Sequence, residues 1–365
     1  MPTAPQREQF RVPHIPISCM RNVTQPPPEK LLREIGLRYV SAAELTIRRR
    51  RNGKGFVYLN GRGGRLQDER TLYRLKRLAV PPAYRAVRFA SDPHAHLQAI
   101  GQDTAGRTQY RYHPDWEKVR ELRKARRLAR LAEVLPIVRR WVSRHLRDRE
   151  PTRERAIAAV IELVALAALR PGSETYAKEH GTRGAATLLK SDLTVSGTRI
   201  RLNFVGKGGK EIEKEIVSAR LAAVLRQLGK LPGRRMFQYR NGGDAIVPLR
   251  RRDVNNALRE IAGRTVSLKD FRTLIGSAKA LQQLSAIEPK PSERGRRRQL
   301  LATMRSVAAD LANTPAVCRK SYVHTAVVTA FESGALQRIA RRSGGLRSAA
   351  AREKILAKVL AEITG

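Results

Sequence analysis

The chain has 365 residues, with 73 Lys and Arg against 32 Asp and Glu, a formal net charge of +41. A charge of that size strains a compact fold unless it faces a polyanion, so nucleic acid is the expected partner and an anionic membrane surface the weaker alternative. The longest mainly apolar run, residues 156–169, is broken by Glu162, which argues against a membrane span, and two cysteines, Cys19 and Cys318, cannot supply a disulfide framework.

Residues 1–28 are Pro-rich and polar, ending in Gln25-Pro-Pro-Pro28, and read as a mobile tail or linker without a signal-peptide pattern. A short helix is predicted over 29–35. Strands follow at 38–40, 46–51 and 56–59, with turns at Gly53 and Asn60-Gly61. A helix fits 69–78, stopped by Pro81-Pro82, and further strands fit 87–89, 96–101 and 109–112. This is a small, basic, mostly β domain over 29–115.

From residue 116 the chain turns helical. The span 118–132 carries Lys118, Arg120, Arg123, Lys124, Arg126, Arg127 and Arg130, which either track a phosphate backbone or form a solvated connector face. The span 132–146 is amphipathic, and 156–169 has the composition of a core helix. A β-hairpin is predicted from 198–204 and 210–217 around a Gly-rich tip. Helices resume at 219–228, 253–262, 269–284, 300–311 and 321–341, with 288–298 as a charged surface loop. A last helix covers 346–363. The expected class is α+β: a small β-rich N-terminal domain, then a larger mainly helical domain with a β-hairpin over 116–345, and a C-terminal helix.

Several chemistries lack their motifs. Gly206-Lys-Gly-Gly-Lys210 is Gly-rich but is not a Walker A sequence. There is no HExxH, no CxxC and no carboxylate-rich metal motif, and His94-x-His96 alone is a common strand pattern. ATP-driven and two-metal chemistry therefore have no visible basis.

Metal-free phosphoryl transfer requires an in-line nucleophile, cations around the transition-state oxygens, and an acid for the leaving oxygen. Arginine suits the second task through its planar, always charged fork, and lysine the third because neighbouring cations lower its pKa. The candidates are Arg170, Lys207, Arg272 and Tyr322. Arg170 follows the apolar helix in Leu169-Arg-Pro-Gly172, and alone it also reads as a helix C-terminal cap. Lys207 sits at the hairpin tip, where a solvated turn lysine is the plain alternative. Arg272 lies in Ser267-Leu-Lys-Asp-Phe-Arg-Thr273 and reads equally as a helix-surface arginine. Tyr322, ahead of an apolar helix, reads equally as a core tyrosine.

The order of these residues is more specific than any of them. Arg, then Lys on a hairpin, then Lys269-x-x-Arg272, then Tyr322 resembles the type IB DNA topoisomerases, in particular their small poxvirus-like bacterial members. Pro81-Pro82-Ala-Tyr84 and Gly106-Arg-Thr-Gln-Tyr-Arg-Tyr-His113 resemble that family's N-terminal DNA-clamp domain, so the likeness runs over about residues 30–340. The resemblance implies that Tyr322 attacks a phosphodiester to form a 3′-phosphotyrosine, that Arg170 and Arg272 stabilise the transition state, and that Lys207 is the general acid. Nine positions before the tyrosine, where the family often has histidine, this chain has Asn313. An amide can hydrogen-bond a non-bridging oxygen but brings no charge, so a positioning role weaker than that of the arginines is expected. His324, two residues past Tyr322 on the predicted helix, is expected to face elsewhere. Gln109, Tyr110 and Tyr112 resemble clamp residues that touch DNA, although Tyr110 and Tyr112 also fit one face of a small core. Arg107 and Lys54 are expected phosphate contacts.

The resemblance further implies a monomer that closes as a C-shaped clamp around double-stranded DNA. It has no obligate protein partner, sits in the cytoplasm with the nucleoid, and requires no cofactor, with Mg²⁺ at most stimulating product release. A tyrosine recombinase is the nearest rival, but it usually presents His-x-x-Arg where this chain has Lys269-x-x-Arg272. A non-catalytic basic nucleic-acid-binding protein is the rival that composition alone suggests.

Overall fold

The structure, a computed structural model, describes residues 29–342 and 348–364. The predicted tail over 1–28 and the predicted boundary at 345/346 lie outside the described residues. The chain divides into two compact units, one running through Arg120 and the other from Glu121 onward.

The first unit opens with α1 (Glu29–Ile35) and is built on a five-stranded antiparallel sheet. Its strands are β1 (Ile47–Asn52), β2 (Gly55–Leu59), β3 (Arg85–Phe89), β4 (Leu97–Gln102) and β5 (Thr108–Tyr112), in the order β2-β1-β3-β4-β5. Helix α2 (Glu69–Arg77) begins at Asp68, whose carboxylate accepts from the Thr71 amide, and it lays Leu75 against Ile47, Val87, Phe89 and Ala99. Strand β4 is buried from Leu97 through Gly101 because apolar clusters cover both of its faces. The arginines of β1 are not all solvent-facing. Arg49 donates to the carbonyls of Val80, Pro81 and Tyr84, each at 2.9 Å, and stacks over the Phe56 ring.

The strand predicted at 38–40 does not form. Arg38 makes one isolated bridge with Ala95, and Ser41 then starts a 3-10 turn in which the Glu44 carboxylate binds the Ser41 amide at 2.6 Å. The side-chain cap competes with ladder pairing and ends the extended run. His96 is structural here: its Nδ1 accepts from the Val40 amide, and its ring packs between Tyr39 and Trp116. Burial drives its pKa down to about 4, against the raising effect of its polar neighbours.

The second unit is mainly helical. Helix α3 (Trp116–His145) begins in the last residues of the first unit and passes unbroken through Pro136, so the two spans predicted at 118–132 and 132–146 are one helix. Helix α4 (Arg153–Ala167), capped by the Thr152 hydroxyl on the Arg155 amide, is buried nearly all round and is the axis of the main core. It ends at Ala168, in the left-handed region at φ 52°. Next come α5 (Glu174–His180) and a three-stranded sheet of β6 (Leu193–Ser196), β7 (Arg199–Val205) and β8 (Glu211–Val217), in which β7 and β8 are the predicted hairpin. The remaining elements are α6 (Ala219–Lys230), a β9 (Gln238–Arg240) and β10 (Ile246–Pro248) pair, α7 (Arg251–Ala262), α8 (Leu268–Ser285), α9 (Glu293–Asp310), α10 (Pro315–Ser321), α11 (Thr325–Glu332), α12 (Ala335–Arg342) and α13 (Ala349–Thr364).

Two predicted boundaries are corrected. The charged stretch expected to be a loop over 288–298 is helical from Glu293, because the Ser292 hydroxyl caps the Gly295 amide at 3.1 Å and the arginines lie along the helix surface. The single helix expected over 321–341 is broken. A Thr314 cap with Pro315 in the first turn builds α10, His324 caps α11, and Gly334 at φ 69° separates α11 from α12. Tyr322 therefore sits at a break between helices. No helix among the described residues is long and apolar enough to cross a membrane.

Candidate active site

Two helix C-termini meet at the site. Helix α4 ends at Ala168 and α9 runs out through Leu311 into Ala312, at φ 48°. A helix C-terminus carries unsatisfied carbonyls and partial negative charge, so it suits cations. Arg272, on α8 and 2% exposed, donates to the carbonyls of Ala168 and Leu311, the latter at 2.8 Å. Arg170 donates to the Ala312 carbonyl at 3.2 Å and to Asn313 Oδ1 at 2.6 Å. Asn313 Nδ2 in turn donates to the Leu311 carbonyl at 3.1 Å. Neither arginine is paired with a carboxylate among the described residues, and Arg272 Nε is buried without a hydrogen-bond partner. Burial pulls the Arg272 pKa down from its ordinary value.

The Tyr322 ring lies against this guanidinium, with Arg272 Cζ 4.8 Å from the ring centroid. Burial raises the phenol pKa, but the charge of Arg272, helped by Arg170 and Lys269, outweighs it and holds the group below the usual tyrosine value. The same helix fixes the tyrosine backbone. The Ser277 hydroxyl donates to the Tyr322 carbonyl at 3.2 Å and accepts from the His324 amide at 3.0 Å. A Cβ on Gly276 would stand 2.8 Å from the Tyr322 carbonyl oxygen. On the other side, Lys124 Nζ donates to the carbonyls of Lys320 and Val323, each at 3.2 Å, so this lysine of the basic α3 run serves the tyrosine loop. Gly276→Ala is expected to push the Tyr322 carbonyl aside and destabilise the chain by about 1–3 kcal/mol, as overpacking does. Thermal melting against the parent chain checks this; equal melting temperatures would mean that the close approach is irrelevant.

The remaining predicted residues fall as follows. Lys207 is exposed at the β7–β8 tip, in a turn closed by Gly209 N to Gly206 O at 3.1 Å, with Gly208 and Gly209 both at positive φ. The cleft itself is lined by Arg170, Arg183, Phe204, Gly206, Lys214 and Arg272, one residue short of Lys207. Asn313 sits where the spacing places it, but its amide engages Arg170 and Leu311, so the protein contact it makes is with an arginine. His324 is buried and its Nδ1 accepts from the Ala326 amide, which makes it a helix cap. In the first unit, Gln109 and Arg107 both donate to Asp103 Oδ2, at 2.9 and 3.0 Å. Tyr110 and Tyr112 are stacked on each other, 46% and 42% exposed, and Tyr112 also stacks on Trp116. Lys54 lies exposed on the β1–β2 turn.

Sequence reasoning passed over Gly276, Ser277 and Lys214, and it read Lys124 only as part of a run facing a phosphate backbone or solvent, whereas Lys124 is turned to the carbonyls of the tyrosine loop. Only Lys214 left a signal in the pattern, as a lysine in register with the apolar Ile212 and Ile216.

Residues 113–342 match the family model described as the catalytic core of eukaryotic DNA topoisomerase I, and residues 55–103 match that of the N-terminal domain of bacterial DNA topoisomerase IB. The DNA topoisomerase 1B of Acanthamoeba polyphaga mimivirus is 30% identical over 284 residues, covering 76% of this chain and 84% of the relative. The DNA topoisomerase 1B of vaccinia virus (strain Copenhagen) and the DNA topoisomerase I of monkeypox virus are each 22% identical over 236 residues, covering 63% of this chain and 70% of theirs.

Proposed function

The chain belongs to the type IB DNA topoisomerase family, and from that premise we propose that it relaxes positive and negative supercoils by cutting and rejoining one DNA strand through Tyr322. The observation that carries this reading is the Tyr322 ring against the Arg272 guanidinium, with Arg170 alongside and no carboxylate among the described residues paired to either cation. Such a site is preorganised for a phosphodiester, whose developing charge it meets without reorganising.

In the proposed reaction the Tyr322 hydroxyl attacks phosphorus and gives its proton to solvent water. A 3′-phosphotyrosyl bond forms as the bond to the 5′ oxygen breaks, and Lys207 protonates that oxygen. Arg170 and Arg272 hold the non-bridging oxygens, and Asn313 keeps the Arg170 fork in place. The freed 5′ end rotates, and its hydroxyl then attacks the phosphotyrosine to restore the strand. Bonds of one kind are exchanged for bonds of the same kind, so no nucleotide is consumed. We further propose that a β-rich domain over residues 29–115 supplies duplex contacts through Tyr110, Tyr112, Gln109, Arg107 and Lys54, and that residues 116–345 form the catalytic domain of a monomer.

The test is a supercoiled plasmid of arbitrary sequence, incubated with the protein in EDTA without ATP. Stepwise loss of supercoils of either sign is expected. A requirement for a dedicated target site would point to a recombinase, and binding without relaxation to a non-catalytic DNA-binding protein.

A further inference from the structure

On β8 the inward positions are Ile212, Lys214 and Ile216, opposite the buried Ile200, Leu202 and Phe204 of β7, with Lys214 in register with Leu202. A lysine thus occupies a place where the alternation calls for an apolar side chain. Burying an ammonium there is costly unless it is bonded. Lys214 Nζ donates to the Asp310 carbonyl at 2.6 Å, at the last residue of α9.

That carbonyl belongs to a four-residue run in which every residue holds a cation. Asp310 takes Lys214 on its carbonyl and Lys279 on its carboxylate. Leu311 takes Arg272, while Ala312 and Asn313 take Arg170. The run also contains the left-handed Ala312, a conformation unfavourable for a non-glycine residue that persists only when its surroundings impose it. Lys214 is the contact that reaches this run from the strand leading out of the hairpin tip. Its pKa is held below the usual lysine value by burial, which Asp310 opposes and Arg272 and Lys279 reinforce.

We propose that Lys214 is a positioning residue that fastens strand β8 to the 310–313 turn, so that the carbonyls orienting Arg272 and Arg170 stay in place. The proposal rests on the strand-transfer reading above. It predicts that Lys214 acts through the arginines and not through DNA affinity.

The experiment uses the full chain carrying Lys214→Met, Lys214→Arg, Arg170→Ala, or Lys214→Met with Arg170→Ala. Covalent adduct formation is followed at saturating plasmid, with DNA affinity measured separately at one salt concentration. Lys214→Met is expected to slow adduct formation by about 10- to 100-fold and to change affinity by no more than about threefold, the loss expected of one rim cation. Lys214→Arg recovers most of the rate, since a guanidinium also donates to a carbonyl. The double variant falls no further than Arg170→Ala alone, as residues acting through one another are not additive. A parental rate for Lys214→Met, or full additivity with Arg170→Ala, overturns the proposal. If Lys214→Met melts below the assay temperature, Lys214→Leu, which restores the apolar alternation of β8 and cannot donate, replaces it. A slowed rate at retained affinity then supports the proposal, and a parental rate overturns it. The failures are distinguishable: relaxation by Tyr322→Phe would sink the strand-transfer reading, whereas an inert Tyr322→Phe beside an unaffected Lys214→Met sinks only this one.

Discussion

Tyr322→Phe is expected to lower plasmid relaxation by about 10⁴-fold or more while leaving the fold and duplex binding unchanged. The substitution removes one oxygen. The ring stays against Arg272, whose guanidinium carbon is 4.8 Å from its centroid, and the backbone keeps its bonds to Cys318 and Ser277. What disappears is the oxygen that the proposed reaction bonds to phosphorus. Denaturing the reaction mid-course should trap a protein–DNA adduct with the parent chain and none with the variant. Relaxation at the parental rate by the phenylalanine variant would show that Tyr322 is a core residue.

Arg272→Ala is expected to cost about 10³-fold in adduct formation and also to destabilise the second unit, and the two effects have separate causes. The rate loss follows from removing a preorganised cation, for which about 10²–10³-fold per donor is typical and more for an arginine on a transferring phosphoryl group. The stability loss follows from the buried carbonyl of Ala168, left without its arginine donor at about 1–3 kcal/mol, while Leu311 loses one of two donors and keeps Asn313. Arg272→Lys separates them. An ammonium can satisfy a carbonyl but cannot span two helix ends and a phosphate with one planar fork, so stability should recover more than rate. Replacing Arg272 by Ala also lets the Tyr322 pKa rise, so the ascending limb of the cleavage rate, where the phenol loses its proton, should move to higher pH. Thermal melting and a pH series of adduct formation measure these outcomes. A variant as fast as the parent at every pH would remove Arg272 from the mechanism.

Much of the fold is legible in the sequence because local chemistry and tertiary context agree. The apolar run at 156–169 can only be a central helix, and the β7–β8 hairpin announces itself through alternation around a glycine tip. The failures occur where short-range bonds override the wider pattern. Ser41 and Glu44 end a strand that residues 38–40 otherwise suit, and Ser292 starts a helix inside what composition marks as a loop. The helix predicted from 321 contains the break at Tyr322 because Thr314, His324 and Gly334 each impose an end that hydrophobic periodicity does not see.

The candidate site was partly legible for a different reason. Arg170, Arg272, Asn313 and Tyr322 are far apart in the chain and do lie together, and their order and spacing pointed to them. The residues that hold them were not legible, since Gly276, Ser277 and Lys124 act on Tyr322 through backbone atoms. Main-chain acceptors are the same at every position, so no residue type marks their partners in advance.

The 310–313 turn, with four cations gathered on four residues, has a thermodynamic consequence. In the unfolded chain Arg170, Lys214, Arg272 and Lys279 are free to separate; folding gathers them on one four-residue turn, with Asp310 as the carboxylate among their contacts. Their mutual repulsion opposes folding, and in the proposed reaction a phosphodiester between the arginines relieves it. Occupancy and melting temperature are then linked quantities: the substrate serves as a counter-ion of the native state, and the protein is at its most stable while it holds the strand it cuts.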